Sequence, residues 1–135
     1  MVYVTRREHF SAAHRLFNPA FTDKQNEEVF GQCNNPSGHG HNYVIEVTIA
    51  GEPDPQTGMV IDLKKLGDII KAEIISHVDH KHLNYDVHFL KGIIPTAENL
   101  AKVFWNILAS KIVEGKLRSV KVFESDQNFA EYRGE

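Results

Sequence analysis

The sequence predicts an α+β fold in which two helices pack on one face of a four-stranded antiparallel sheet. Segments with strand periodicity stand in two pairs, one near each end of the chain, and two segments with helical periodicity stand between them. No internal repeat or low-complexity tract interrupts this order. Separate blocks of strands and helices are typical of α+β domains. The predicted order is therefore ββααββ, in a single domain that spans residues 1–135.

The first pair of strands is separated by a long polar segment. Residues 2–14 carry apolar side chains at alternate positions, and residues 39–50 alternate strictly from Tyr43 to Ile49. Residues 15–38 are polar and contain turn-forming Asn-Pro and Gly, so we expect a loop there. A loop of this length inside a compact domain is usually functional or disordered.

The second half of the chain begins with two predicted helices and ends with two strands. Asp62 can cap a helix that runs to about Ser76, and Thr96 can cap a second helix that Gly115 can end. The last strand covers residues 129–132. A four-stranded sheet exposes two edges, and such edges are often paired with another subunit, so we expect an oligomer.

Composition and charge exclude several classes of protein. The net charge is −3, with 15 basic and 18 acidic residues, and no basic stripe indicates a nucleic-acid partner. The N-terminus has no apolar signal core, and no segment is long enough to span a bilayer. A single cysteine cannot form an intramolecular disulfide. We therefore expect a cytoplasmic protein with neither a membrane nor a nucleic-acid partner.

Three of the eight histidines are predicted to form a metal site. His39 and His41 stand two apart in a strand and therefore share a face. His14 ends the first strand, and an antiparallel pairing would bring it close to them. Three neutral nitrogens with an open fourth position describe a catalytic zinc site, although iron and nickel also accept imidazole. The alternative is that these histidines only hydrogen-bond within a half-buried sheet.

Three further residues are candidates for proton transfer. Cys33 precedes His39 in the polar segment, and a cysteine near a metal can act as a base or nucleophile. It can equally be a small buried thiol. Asp79 can orient His80 and stabilise its protonated form. Adjacent residues often point apart, however, so ordinary surface polarity is the alternative for this pair.

Two carboxylates and a hydroxyl complete the candidate set. Glu124 continues the parity of Val120 and Val122, which places it on the core-side face. A carboxylate there can accept hydrogen bonds from the amino and ring N–H groups of a heterocycle, or it can form an internal salt bridge. Glu98 lies in the first turn of the second helix, where it interacts favourably with the helix dipole, and Thr96 caps that helix.

Six motifs, which extend from near the first residue to the closing Y-R-G-E, resemble the eukaryotic type of the 6-pyruvoyl-tetrahydropterin synthase family. They stand in the family's order: F-S-A-A-H (10–14), V-F-G-Q-C-N-N-P-S-G-H-G-H-N-Y (29–43), D-P-Q-T-G-M-V (54–60), D-H-K-H-L-N (79–84), P-T-A-E-N (95–99) and V-F-E-S-D (122–126).

The resemblance implies a fold, an assembly and a reaction. The fold would be the tunnelling fold, in which trimers close their sheets into a barrel and two trimers stack into a homohexamer. The reaction would be the zinc-dependent conversion of 7,8-dihydroneopterin triphosphate to 6-pyruvoyl-5,6,7,8-tetrahydropterin. This enzyme is a carbon-oxygen lyase that eliminates triphosphate in tetrahydrobiopterin biosynthesis.

The resemblance also implies roles for the metal and proton-transfer residues of this chain. The zinc ligands would be His14, His39 and His41. The proton acceptor would be Cys33, and the pair that works with it, which can come from a neighbouring subunit, would be Asp79 and His80.

For the pterin, the resemblance implies that Glu124 is a catalytic residue whose carboxylate anchors the ring. It also implies that Glu98 and Thr96 occupy further positions in the pterin pocket. The chain departs from the family pattern at two places. The usual pair of threonines before the glutamate is Thr96-Ala97 here, so one pocket hydroxyl is absent. His82 stands where asparagine is common, which places a second histidine near the proton-transfer pair Asp79 and His80.

Two alternatives remain at this point. A sister enzyme, 6-carboxy-tetrahydropterin synthase of queuosine biosynthesis, shares the histidines and the cysteine. In that enzyme three residues usually lie between the cysteine and the HGH motif, whereas five residues lie between Cys33 and His39 here. The other alternative is a non-catalytic pterin- or zinc-binding module on the same fold, which would need neither Cys33 nor His80.

Overall fold

A computed structural model of residues 1–135 contains a five-stranded sheet with helices packed on it. The strands are β1 (Val2–His14), β2 (His39–Gly51), β3 (Lys81–His82), β4 (Lys116–Phe123) and β5 (Phe129–Tyr132). The helices are α1 (Asp23–Phe30), α2 (Leu63–Ile70), α3 (Ser76–Val78) and α4 (Ala97–Ala109). Short 3₁₀ turns cover Gly31–Asn34 and His88–Leu90, and the strand order in the sheet is β3-β1-β2-β4-β5.

The predicted α+β class is confirmed, but the sheet has a fifth strand that the sequence did not reveal. The four predicted strands pair antiparallel, whereas β3 runs parallel to β1 at the sheet edge. The N–H of His80 donates to the carbonyl of Ser11 at 2.6 Å, and the N–H of Leu83 donates to that of Ala13 at 2.8 Å. A strand of two residues has no periodicity, so only these tertiary bonds define it.

The segment 15–38 is not a structureless loop, because it contains α1. The hydroxyl of Thr22 accepts from the backbone N–H of Gln25 at 3.1 Å, and the Gln25 side chain accepts from the Thr22 N–H at 2.9 Å. This reciprocal arrangement is a capping box. Only Asn26 of the helix is buried, so the helix lacks the apolar stripe that would predict it. The Thr-x-x-Gln spacing was the signal available in the sequence.

The first predicted helix begins as expected and extends slightly further. Asp62 accepts from the backbone N–H of Lys64 at 2.9 Å, which confirms it as the N-cap of α2. The helical path continues beyond the expected end at Ser76, through a π-helical turn over Lys71–Ile75 and then α3. Since α3 ends at Val78, the Asp79-His80 pair directly follows the helix.

The second predicted helix also begins at its expected cap but ends early. The Thr96 hydroxyl accepts from the backbone N–H of Asn99 at 3.2 Å, which confirms the N-cap of α4. The prediction that the helix continues to Gly115 is wrong, because α4 ends at Ala109. The N–H groups of the next two residues after Ser110 both bond to the Leu108 carbonyl, which closes the last turn.

The helices cover one face of the sheet, and the opposite face is polar. On the covered face, Phe10 stacks on Tyr43 with ring centroids 4.7 Å apart, and Phe104 of α4 meets Phe10 edge-on at 6.1 Å. On the opposite face, the Ser11 hydroxyl bonds to the Asn42 amide oxygen at 2.8 Å. The same alternation carries the histidines at the ends of β1 and β2 toward the covered face. None of the helices has the length and apolar character needed to cross a membrane.

Candidate metal and catalytic site

The pairing of β1 with β2 brings three histidines together at one end of the covered face. His14 lies opposite His39, and Ala12 lies opposite His41. One nitrogen of each imidazole lies within 4.8 Å of the others, and the Nε2 atoms of His14 and His39 are 3.1 Å apart. The ring centroids are separated by 4.7 to 5.0 Å. The structure therefore shows the proximity that the strand pattern predicts.

His14 is held in one tautomer at the base of this cluster. Its Nδ1 lies 2.8 Å from the carbonyl oxygen of Pro95, and a carbonyl only accepts, so Nδ1 carries the hydrogen. The lone pair is then on Nε2, which faces His39. Only 1% of the residue is exposed, and burial, with smaller contributions from His39 and His41, lowers the pKa of His14 to about 4 against the opposing hydrogen bond to Pro95. His14 is consequently neutral near pH 7.

These features fit a transition-metal ion. An imidazole that ligates a metal commonly donates its other N–H to a carbonyl, as His14 does to Pro95. Burial lowers the pKa of His41 as well, which favours the neutral form that binds metals. No fourth His, Cys, Asp or Glu belongs to the cluster. Three imidazoles without a fourth protein ligand are typical of catalytic zinc sites.

Cys33, the candidate proton acceptor, opens into a cavity that His39 of this cluster also lines. It belongs to the 3₁₀ turn that precedes β2, and it lines an open cavity of about 530 Å³ together with His39. The backbone N–H of Leu16 donates to the Cys33 carbonyl at 2.8 Å. The turn is thus bonded to the chain two residues beyond His14, and the thiol shares a cavity with one of the three histidines.

Asp79 and His80 are in contact although they are neighbours in the chain. His80 has a φ of +60° and is the only non-glycine residue with a positive φ. This conformation places its Nδ1 3.0 Å from Oδ2 of Asp79, while Oδ1 accepts from the Ser11 N–H at 2.9 Å. The Ser11 bond, supported by His80, lowers the pKa of Asp79. Uncommon backbone conformations of this kind cluster at functional sites.

Within one chain this pair does not reach the thiol. The His80 side chain is 81% exposed and lines an open cavity of about 470 Å³ with Gly40 and His41. Cys33 opens into a different cavity, and no hydrogen bond joins it to Asp79 or His80. The imidazole of His80 is therefore available to a group outside its own chain.

Glu124 and Glu98 line a third open cavity, of about 490 Å³. The internal salt bridge considered for Glu124 is not observed, because no cationic side chain lies within 4.0 Å of its carboxylate. Its charge raises the pKa of His41 against the effect of burial, so the carboxylate lies near the histidine cluster. Thr96 caps α4, and its neighbour Ala97 lines this cavity instead.

Two groups that support the cluster were not anticipated. The hydroxyl of Tyr43 lies 3.1 Å from Nδ1 of His14, and burial raises the pKa of this tyrosine. Tyr43 stands two residues after His41 in β2 and therefore shares its face, and this spacing was the signal available in the sequence. The Pro95 carbonyl had no signal, since a backbone oxygen carries no residue-type information.

His82 is half-buried, and its Nδ1 accepts from the backbone N–H of Asn84 at 3.3 Å.

Comparisons with known proteins converge on one family. Residues 3–135 match the family described as 6-pyruvoyl tetrahydropterin synthase. The chain is 45% identical over 132 residues to 6-pyruvoyl tetrahydrobiopterin synthase of Homo sapiens, which covers 98% of this chain and 91% of the human protein. The structure of Caenorhabditis elegans 6-pyruvoyl tetrahydropterin synthase has a TM-score of 0.93 at 41% identity, over 99% of this chain and 96% of that one. A 6-carboxy-5,6,7,8-tetrahydropterin synthase of Rickettsia bellii is 31% identical over 150 residues, covering 97% and 99%.

Proposed function

Because the chain belongs to the 6-pyruvoyl tetrahydropterin synthase family, we propose that it converts 7,8-dihydroneopterin triphosphate to 6-pyruvoyl-5,6,7,8-tetrahydropterin and triphosphate. The proposal places this step in tetrahydrobiopterin biosynthesis in the cytoplasm, where the single free thiol stays reduced. The observation that carries it is the three-histidine cluster with Cys33 beside it and the unpaired carboxylate of Glu124 nearby.

In this proposal His14, His39 and His41 hold a zinc ion. The bound ion would polarise the oxygens of the substrate side chain, which acidifies the adjacent C–H bonds. The protein prepares the ligands in advance, since burial keeps His14 neutral and the Pro95 carbonyl holds its tautomer. The open fourth position is left for the substrate.

Cys33, Asp79 and His80 would move the protons. Cys33, as the thiolate, accepts a proton from a side-chain carbon of the substrate. His80, oriented by the Asp79 carboxylate at 3.0 Å, exchanges protons with the reacting centre. The side chain is oxidised by two electrons while the ring is reduced by two, and triphosphate leaves. No redox cofactor is therefore needed.

The pterin ring would be held by acidic side chains. The carboxylate of Glu124 can accept hydrogen bonds from the exocyclic amino group and a ring N–H together. It is suited to this role because no ion pair within the chain occupies it. Glu98 lines the same cavity, and Thr96 at the start of α4 would supply a further contact.

We further propose that the active form is a homohexamer made of two trimers. The two edge strands of the sheet, β3 and β5, each have a side free to pair, and Phe129 on β5 is 52% exposed. His80 and Cys33 open into separate cavities of one chain. His80 of one subunit would then complete the site that contains Cys33 of a neighbour.

Product analysis tests the reaction directly. Zinc-loaded protein is incubated with 7,8-dihydroneopterin triphosphate, and the pterin product is identified by mass. We expect 6-pyruvoyl-5,6,7,8-tetrahydropterin and stoichiometric triphosphate. A 6-carboxy product would instead indicate the reaction named for the Rickettsia protein, and absence of triphosphate release would exclude a synthase of this kind.

Variant enzymes test the roles of the residues. Cys33→Ala should keep its zinc and lose activity by about 100-fold or more, whereas Lys64→Gln, a charge change on the exposed start of α2, should lose none. Inactive Cys33→Ala and His80→Ala subunits can then be mixed under exchange conditions. Recovery of up to about one quarter of wild-type activity is expected if each site takes these residues from different subunits. No recovery would contradict a shared site.

A further inference from the structure

We propose that Arg15 is a positioning residue that holds Cys33 in place beside the histidine cluster. The proposal rests on the proposed function, in which Cys33 is the proton acceptor. Arg15 directly follows His14, so one short segment would control the distance between a metal ligand and the base. In this structure Arg15 contacts Asn34, which directly follows the cysteine.

Arg15 holds the 3₁₀ turn Gly31–Asn34, here called the cysteine turn, by two hydrogen bonds that together form a clamp. Nε of Arg15 donates to the carbonyl oxygen of Asn34 at 2.9 Å, and Nη2 donates to Oδ1 of the same residue at 3.0 Å. The guanidinium also lies over the ring of Phe17, with Cζ 4.1 Å from the ring centroid. The adjacent backbone N–H of Leu16 donates to the carbonyl of Cys33 at 2.8 Å. Cys33 itself and Asn34, the residue after it, are thereby bonded to the two residues that directly follow β1.

The backbone of Arg15 is itself fixed from the other side. Its N–H donates to Oδ1 of Asn84 at 2.8 Å, and Nδ2 of Asn84 donates back to its carbonyl at 2.8 Å. The side chain therefore extends from a fixed point. Substitution of the guanidinium removes the clamp on Asn34 but leaves these backbone bonds, so the chain path should survive the change.

The alternative role for Arg15 is a direct contact with the substrate triphosphate. No carboxylate lies within 4.0 Å of its guanidinium, so its charge is not neutralised within the chain. The two donors that form a fork, however, are already used on the two oxygens of Asn34. Lysine can replace a point charge on a phosphate but cannot reproduce a planar fork, so the two roles predict different results for Arg15→Lys.

Steady-state kinetics of zinc-loaded variants separates these roles. We expect Arg15→Gln to lower kcat by about 10- to 100-fold, because a base displaced by about 1 Å loses that much, and to change KM by less than about threefold. Arg15→Lys should not restore kcat, and Asn34→Ala should lower kcat in the same direction. A raised KM with unchanged kcat, or rescue by lysine, would overturn the proposal in favour of a phosphate contact. Loss of zinc from Arg15→Gln would also overturn it.

A double-mutant cycle that combines Arg15→Gln with Cys33→Ala shows whether Arg15 acts through the thiol. In the Cys33→Ala background, Arg15→Gln should lower the residual activity by less than about twofold, because the group that it positions is already gone. Independent, multiplying effects would refute the inference. Full activity of Cys33→Ala alone would instead remove the proposed base, and with it the basis of the positioning role.

Alkylation gives a readout that does not depend on activity. Since Cys33 is the only cysteine, modification by iodoacetamide reports on this thiol alone. We expect Arg15→Gln and Asn34→Ala to react at least about threefold faster than wild type, because the released turn exposes the half-buried thiol. Lys64→Gln should react at the wild-type rate. Equal rates in all four proteins would contradict the clamp, and Asn34→Ala decides the matter if Arg15→Gln does not fold.

Discussion

The metal-free protein should lose stability in mild acid because His14 is buried without a charge to balance its protonated form. The pKa of His14 is lowered to about 4 in the folded chain, against 6.5 for an ordinary histidine. Between these values the unfolded chain binds a proton that the folded chain does not. The stabilisation is therefore fully present above about pH 6.5 and is lost progressively as the pH falls toward 4.

The size of the effect follows from the two pKa values. At ~1.4 kcal/mol per pH unit, the interval from 6.5 to about 4 amounts to about 3 kcal/mol, of which roughly 2 kcal/mol is lost between pH 7 and pH 4.5. Burial also lowers the pKa of His41 and His82, so they act in the same direction. The contribution of His14 must therefore be measured as a difference between wild type and a variant.

Urea unfolding of chelator-treated protein at pH 7 and pH 4.5 measures this difference. The matched variant is His14→Asn, whose amide can donate to the Pro95 carbonyl in place of Nδ1 but does not titrate. Wild type should lose about 2 kcal/mol more than the variant over this interval. If both proteins lose the same free energy of unfolding, the argument from His14 burial is refuted.

Three further changes have defined outcomes. Gly38→Ala should cost clearly more stability than Gly92→Ala in urea unfolding; both positions have φ near +77°, but only at Gly38 would the Cβ lie 2.9 Å from a backbone carbonyl oxygen. Equal losses, near the ~1 kcal/mol of a left-handed backbone alone, would argue against this steric reading. Asp79→Asn should lower kcat about tenfold or more with zinc retained. The amide oxygen would keep the hydrogen bond from the Ser11 N–H, so the amide nitrogen, which cannot accept a hydrogen bond, would face Nδ1 of His80. An unchanged kcat would exclude the orienting role of Asp79. Phe104→Ala, at a side chain with 0% exposure, should lower the free energy of unfolding by about 3–5 kcal/mol, and a loss below 1 kcal/mol would mean that the core repacks.

Much of the histidine cluster was predictable because its geometry is local. Two residues separated by one position in a strand share a face, and antiparallel pairing places the end of one strand opposite the start of the next. His14, His39 and His41 satisfy both rules without any long-range information. The same periodicity predicted the long strands and the two capped helices.

Other parts of the fold carried a weaker signal or none. The helix α1 was missed because its residues are polar, although its capping box was readable at Thr22 and Gln25. Strand β3 could not be predicted, since two residues become a strand only by bonding to β1. The end of α4 at Ala109 also lies ahead of the nearest glycine that could mark it.

The sequence by itself determined the α+β class, the long strands and the position of three imidazoles on one face, because periods of 2.0 and 3.6 residues decide which side chains share a surface. Tertiary structure decided the rest. The contact between Asp79 and His80 depends on a single positive φ, and the tautomer of His14 depends on the backbone oxygen of a residue 81 positions away. The clamp of Arg15 on the cysteine turn is of the same kind, since it needs the end of β1 and the start of β2 to lie side by side. Such contacts depend on distances in space, which residue spacing along the chain does not specify.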